Sequence, residues 1–326
     1  MMNPHELIKS KDLLFKPNEE MLDADFGIAL HTKKLGVHWV SLPKGERTFL
    51  PHAESHEEEF VYVVSGRPHV WINGFIYQLE PGFAVGFPAG TGIAHTFINN
   101  TGDSVEMIML GDRTKDENKC AFPINPEMKE KNSFMWWPDA PKQDLGGHDA
   151  KPGNLNFEKK WTECAFIQNT NLLKHEASWS YPGDTEKFSE GVRLTNHLGL
   201  SSLGIWHEVL KPGVRSSWPH AHKVEEEFAL VIKGHGQVWL NGQVYNLKPG
   251  DGVFFKPGTN IAHVLMNQGS ENFEYLGIGQ ADGGGPEDKI YYPLHPERNQ
   301  QCRDEKYYWE DAPVIANYGS KSADPR

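Results

Sequence analysis

Hydrophobic positions along the chain fall in short runs, such as "EFVYVVSG", "HVWING", "FIYQLEPG" and "AVGFPAG", and glycine, proline or Asn-Gly closes each one. Val, Ile, Phe and Tyr dominate these runs, which is strand composition with turn punctuation. Asn73-Gly74 and Asn241-Gly242 stand between strand-like runs, and Asn-Gly is the pair that a type I′ hairpin turn prefers. Many short strands at even spacing predict an all-β sandwich or barrel of the jelly-roll kind, with few short helices. No apolar run reaches 18 residues, and "MMNPHELIKSKDLLF" has no apolar signal core, so neither membrane insertion nor export is expected.

The pattern repeats. Leu35–Asn99 lies on Leu203–Asn267 without a gap, and the identities include Gly45/Gly213, Gly66/Gly234, Trp71/Trp239, Gly82/Gly250, His95/His263 and Asn99/Asn267. Beyond that core, "FPINPE" answers "YPLHPE" and "WWPDAP" answers "YWEDAP". Two copies of this period are a duplicated domain, whereas a solenoid needs more and shorter repeats. A chain of 326 residues suits two cores. The expected division is residues 1–150 (motifs 45–99) and 151–326 (motifs 213–267), with Gly/Pro/Asp-rich Pro138 to Asn154 as the linker.

Composition narrows the partners. A net charge of −12 gives no basic footprint for nucleic acid or an anionic membrane surface. Cys120, Cys164 and Cys302 are odd in number and far apart, with no C-x-x-C pair. They read as packing residues in a reducing, cytoplasmic setting.

The chemistry lies in two aligned stretches, "PHAHKVEEEFALVIKG" from Pro219 and "PHAESHEEEFVYVVSG" from Pro51. On a strand, His220 and His222 project from one face. With Glu227 and the distant His263 they form a borderline-hard N/O set suited to Fe, Mn, Co, Ni, Cu or Zn. An octahedral ion held by four protein donors would keep two positions open for substrate, O₂ or water. The frame Gly213-x6-His220-x-His222-x4-Glu227-x6-Gly234, then Gly250, Pro257-Gly258 and His263-x3-Asn267, resembles the two signature motifs of the cupin superfamily. Gly45, His52, Glu59, Gly66, Gly82, Gly90, His95 and Asn99 repeat it, so the whole chain resembles a bicupin. The resemblance implies two tandem double-stranded β-helix barrels. It also implies His220, His222, Glu227 and His263 as ligands pointing into the second. Both repeats place four residues between Gly90 or Gly258 and the motif histidine, where the family usually has two.

The first repeat departs at Glu54, which stands where the second has His222. If Glu54 is a ligand, His52, Glu54, Glu59 and His95 make a harder set that brings a divalent ion to zero net charge. If Glu54 turns away, two histidines and one carboxylate remain, a set that holds non-haem Fe(II). His56 is a competing ligand, and an empty barrel kept for packing is the third reading. We expect metal in both barrels, more tightly in the second.

Other polar residues receive plainer readings. Glu57, Glu58, Glu225 and Glu226 are expected to form a solvated face. His148 and His295 are expected in surface loops, Trp71 and Trp239 in packing, and "ADGGGPED" (from Ala281) as a flexible turn.

The function expected is a metal-dependent enzyme acting on a small organic molecule. The chemistry would be oxygenase-type at the second barrel, with decarboxylase or isomerase chemistry on the same ligands as variants. The ion would act as Lewis acid or as a binding point for O₂ and a chelating substrate. The alternatives are a non-catalytic metal or small-ligand binding module and a metal-free storage protein. Burying three imidazoles and a carboxylate together without a cation counts against the last. A homodimer is expected from the exposed outer sheets such barrels present.

Overall fold

The computed structural model describes residues 4–17, 21–113, 117–314 and 324–325. Each repeat forms a two-sheet barrel. In the first, strands at Glu59–Ser65, Phe83–Phe87, Val105–Asp112 and Leu35–Leu42 are the centre of a seven-stranded sheet. It faces a four-stranded sheet built around His69–Ile72, Phe75–Gln78 and His95–Ile98. The second barrel repeats this with six strands, centred on Glu227–Lys233 and Phe273–Gln280, over three. Helices are few and short; among the described residues the longest is Pro296–Asp304. None is long and apolar enough to cross a membrane.

The turn chemistry behaves as expected. Asn73 and Gly74 have φ of 46° and 84°, and Asn241 and Gly242 have 48° and 90°, the double positive φ of a type I′ hairpin. In each turn the Asn side chain also accepts a backbone N–H, from Ala94 at 2.9 Å and from Ala262 at 2.8 Å.

Strand alternation gives every central strand two buried faces. Val61 and Val63 point into the first barrel, beside Val40, Leu42 and Met107. Phe60 and Tyr62, from the same strand, point outward into a core shared with Leu203, Phe228, Leu230 and Phe254 of the second repeat. The two barrels are therefore joined by a continuous apolar core, where Phe26 and Phe228 meet edge to face at 5.9 Å.

Segments also cross between barrels. Ile8–Ser10 pairs antiparallel with Asp251–Phe255 at the edge of the C-terminal sheet. Ile167–Asn169 pairs with Phe83–Phe87 of the N-terminal one. The Pro138 to Asn154 segment is docked: Gly146 and His148 N–H groups donate to Asn73 and Gly74 carbonyls, and the Trp71 indole donates to the His148 carbonyl at 2.9 Å.

Two expectations fail here for physical reasons. Glu58 and Glu226 are buried. The Glu58 carboxylate accepts the Ser201, Ser202 and Leu203 N–H groups at 2.7, 2.9 and 3.1 Å and the Ser201 hydroxyl at 2.9 Å. Glu226 accepts the Lys33 and Lys34 N–H groups at 2.8 and 2.9 Å. Each barrel thus clamps the equivalent loop of the other. Burial would raise the Glu58 carboxyl, but those donors hold it below its ordinary value. His148 and His295 are also buried, each only 2% exposed. His295 stacks on Trp218 at 4.1 Å, and His148 accepts the Ala150 N–H.

Candidate metal centres

Corresponding elements carry corresponding side chains in both barrels. His52 and His220 each sit in an isolated antiparallel bridge with the second-motif histidine, His95 or His263. Glu54 and His222 lie on the two-residue strands Ala53–Glu54 and Ala221–His222. Glu59 and Glu227 open the strands that follow, and His95 and His263 open theirs.

In the second barrel one carboxylate oxygen faces three imidazoles. Glu227 Oε2 lies 3.0, 3.4 and 3.9 Å from Nε2 of His263, His222 and His220. Donors bound at about 2.1 Å on adjacent octahedral positions stand about 3 Å apart, so this spacing fits a common cation. His220, Glu227 and His263 form the tighter group, with one donor atom each within 4.8 Å of the others. His222 completes the wall through Nε2, while its Nδ1 lies 2.6 Å from Asp288 Oδ2 and 3.3 Å from Glu225.

Hydrogen bonding on the far side of the ring orients His220 and His222, whereas His263 Nδ1 is buried with no partner among the described residues. His220 Nδ1 bonds the Trp218 carbonyl at 2.8 Å, leaving Nε2 bare toward Glu227. The His263 ring stacks on Phe255 at 3.8 Å. Burial and neighbouring His263 push His220 down to about 3, against the pull of Glu227, so it is a neutral ligand-ready imidazole. Burial pushes His222 down as well, but Glu227, Asp288 and Glu225 outweigh this and carry it to about 9. Burial raises Glu227, yet the three imidazoles hold it well below the carboxylate range. A positive charge on this wall is what the anionic environment calls for.

The first barrel repeats the frame with one change. His95 Nε2 lies 2.9 Å and His52 Nε2 3.7 Å from Glu59 Oε2, and donors from these three residues again lie within 4.8 Å of one another. His52 Nδ1 bonds the Leu50 carbonyl at 2.8 Å, and His95 stacks on Phe87 at 3.4 Å. The Glu59 Oε2 atom is buried and faces the Nε2 nitrogens of His95 and His52, the placement a shared cation would require. His95 and His52 hold the Glu59 carboxyl at about 2 against its burial. Glu54 does not swing away: its Oε1 stands 3.6 Å from His52 Nε2. Its carboxylate accepts Asn118 Nδ2 at 2.6 Å and the Cys120 thiol at 3.2 Å. His56 is exposed, bonds Ser55 through Nδ1, and lies outside the cluster.

The barrels differ in what lies beyond the donors. A cavity of about 430 Å³ opens onto His220, Glu227 and His263. Its wall includes Arg193, Trp206, Glu208, Tyr275, Gly277 and Gln280. Burial, reinforced by Glu176, pushes the Glu208 carboxyl up to about 7 against a Ser189 hydrogen bond. Its Oε2 is buried with no partner among the described residues. Arg193 bonds the Ala281 carbonyl at 2.8 Å.

Asp288 and Asn118 were not among the expected site residues. Asp288 closes the "ADGGGPED" segment, read as a mere turn, and Asn118 sits ahead of "FPINPE". A signal existed: with the two-residue gap that aligns "FPINPE" on "YPLHPE", "ENK" from Glu117 falls on "EDK" from Glu287.

The cupin domain family model matches the chain twice, over residues 38–111 and 206–279. The chain is a bicupin of the cupin superfamily. Both barrels carry His/Glu groups suited to a divalent transition metal. Among solved structures, a variant of Bacillus subtilis oxalate decarboxylase is similar at 17% identity. That match covers 90% of this chain and 80% of the other, with a TM-score of 0.56. The formate complex of Lactobacillus farciminis oxalate decarboxylase is similar at 15% identity, covering 94% and 96%, also with a TM-score of 0.56. At such identities the likeness shows the fold alone. A search of curated proteins returns no match.

Proposed function

We propose that this bicupin is a metal-dependent enzyme that transforms a small organic molecule in its C-terminal barrel, by oxygenase-type chemistry. The observation that carries the reading is the cavity of about 430 Å³ that opens directly onto His220, Glu227 and His263. A closed structural site has no use for such a space. When bound, the ion supplies Lewis acidity and open positions for O₂ and a chelating substrate.

The residues around it have separable tasks. His220, His222, Glu227 and His263 hold the ion. Trp206 and Tyr275 give the cavity an aromatic wall that favours a partly apolar substrate. Glu208, with its carboxyl at about 7, exists in both protonation states near neutral pH and can donate or accept a proton. The cavity offers a doubly anionic substrate few cationic partners, since the one guanidinium in its lining, Arg193, is already engaged by the Ala281 carbonyl. That favours the oxygenase reading over decarboxylation of a dianion such as oxalate.

The test is a screen of small chelating enols, diketones, phenols and carboxylic acids with the metal-loaded protein, following O₂ uptake and CO₂ release together. The reading expects O₂ uptake that His263→Ala removes. CO₂ release without O₂ uptake would replace it with a decarboxylase. Ligand-induced thermal stabilisation without turnover would replace it with a binding module.

A further inference from the structure

Asn118 and Asp288 occupy equivalent places and do the same backbone work. Asn118 Oδ1 accepts the His56 and Glu57 N–H groups at 3.0 and 3.3 Å. Asp288 Oδ1 accepts those of Val224 and Glu225, the equivalent residues, at 2.8 and 3.0 Å. The flanking main chain matches too: Ser55 N–H donates to the Lys119 carbonyl and Lys223 N–H to the Lys289 carbonyl, both at 2.8 Å. With Oδ1 pinned, the second terminal atom has one direction left, toward residue 54 or 222. There the polarity inverts. Asn118 presents an N–H donor, 2.6 Å from Glu54 Oε2. Asp288 presents an acceptor oxygen, 2.6 Å from His222 Nδ1.

We propose that Asn118 and Asp288 are matched positioning residues that determine the fourth metal donor of each barrel, a Glu54 carboxylate in the first and a His222 imidazole in the second. This rests on the reading that both barrels bind metal.

Each residue is compatible only with its own partner. An imidazole binds metal through a bare nitrogen, and the hydrogen bond on the opposite nitrogen decides which one is bare. Asp288 can only accept, so it keeps the proton on His222 Nδ1 and leaves Nε2 free, facing Glu227. An amide there would donate to Nδ1 and move the proton to Nε2, where the ion must sit. Conversely, an aspartate at 118 would face Glu54 carboxylate to carboxylate. Glu54 is thus a built replacement for the histidine, supported by its own changed neighbour, and not a decayed ligand. The first barrel then offers two imidazoles and two carboxylates, one negative charge more than the second, and a harder donor set.

The test uses the full chain, with His263→Ala or His95→Ala isolating one barrel at a time. Co²⁺ affinity is read by titration, together with the Co²⁺ absorption spectrum. Asp288→Asn should weaken the second barrel by about 10–100-fold, the usual effect of losing such a partner. Glu54→His alone should weaken the first barrel, and adding Asn118→Asp should restore it, with a spectrum like that of the second. Equal affinity for Glu54→His with and without Asn118→Asp, or an unchanged second barrel in Asp288→Asn, would overturn the proposal. A wild-type chain that binds no Co²⁺ in either barrel would instead bring down the metal reading itself. Melting temperatures in chelator give a metal-free arm. Asn118→Asp should lower the melting temperature and Glu54→His/Asn118→Asp recover it, and additive effects would count against the pairing.

Discussion

The two barrels share a frame and differ in their contents. At the inward positions of the paired central strands, the first carries Val40, Met107 and Met109, which pack into its core. The second carries Glu208, Tyr275 and Gly277 at the same places, and a cavity lies among them. Three of the four ligand positions match in kind and spacing, while the side chains beside them differ. Duplication has therefore kept two candidate metal centres and changed what lines the barrel next to them.

The largest effect expected is on metal binding. Glu227→Ala removes the oxygen that faces all three imidazoles, so the second barrel should lose metal affinity by orders of magnitude while the first keeps its own. Calorimetric titration of the variant checks both halves. Next comes the cavity. A Cβ at Gly277 would meet nothing closer than 3.8 Å, so Gly277→Met fits the backbone and transplants the first barrel's Met109. It should leave metal content unchanged and lower kcat/KM for any substrate more than tenfold; unchanged turnover would dissociate the cavity from function.

The clamps between barrels come third. Glu58→Ala leaves three backbone N–H groups buried without an acceptor, and should cost about 3 kcal/mol of stability, measured by denaturant unfolding. Glu226→Ala should cost somewhat less, since Glu226 accepts from two.

The smallest effect is pH-dependent. Glu208 has a folded-state pKa raised to about 7, so below the unfolded carboxyl pKa it costs nothing. Between that value and about 7 the unfolded chain ionises first and stability falls. Glu208→Gln should therefore be more stable than wild type at pH 8, with the gain gone at pH 4. A gain that persists at pH 4 would show that ionisation is not its cause.

The parts legible in the sequence are those written locally or by the repeat. Asn-Gly turns, strand runs and the His-x-His…Glu spacing each carry their own geometry. The clamps were not legible, because the face opposite an inward glutamate is solvent in a lone barrel and becomes interface only when two barrels pack. Ile8–Ser10 is a strand because Asp251–Phe255 offers it an edge, a pairing three residues could not announce. Asp288 and Asn118 were hidden by a two-residue gap in the repeat, and the cavity by its dependence on which strand faces meet inside.

The most direct test of the two-centre account is the metal content of the purified full-length protein beside His263→Ala, after reconstitution with Mn²⁺, Fe²⁺ or Co²⁺. The account predicts two ions per chain in the wild type and one in the variant. One ion in the wild type and none in the variant would contradict a working first barrel, and none in either would contradict the metal centres altogether.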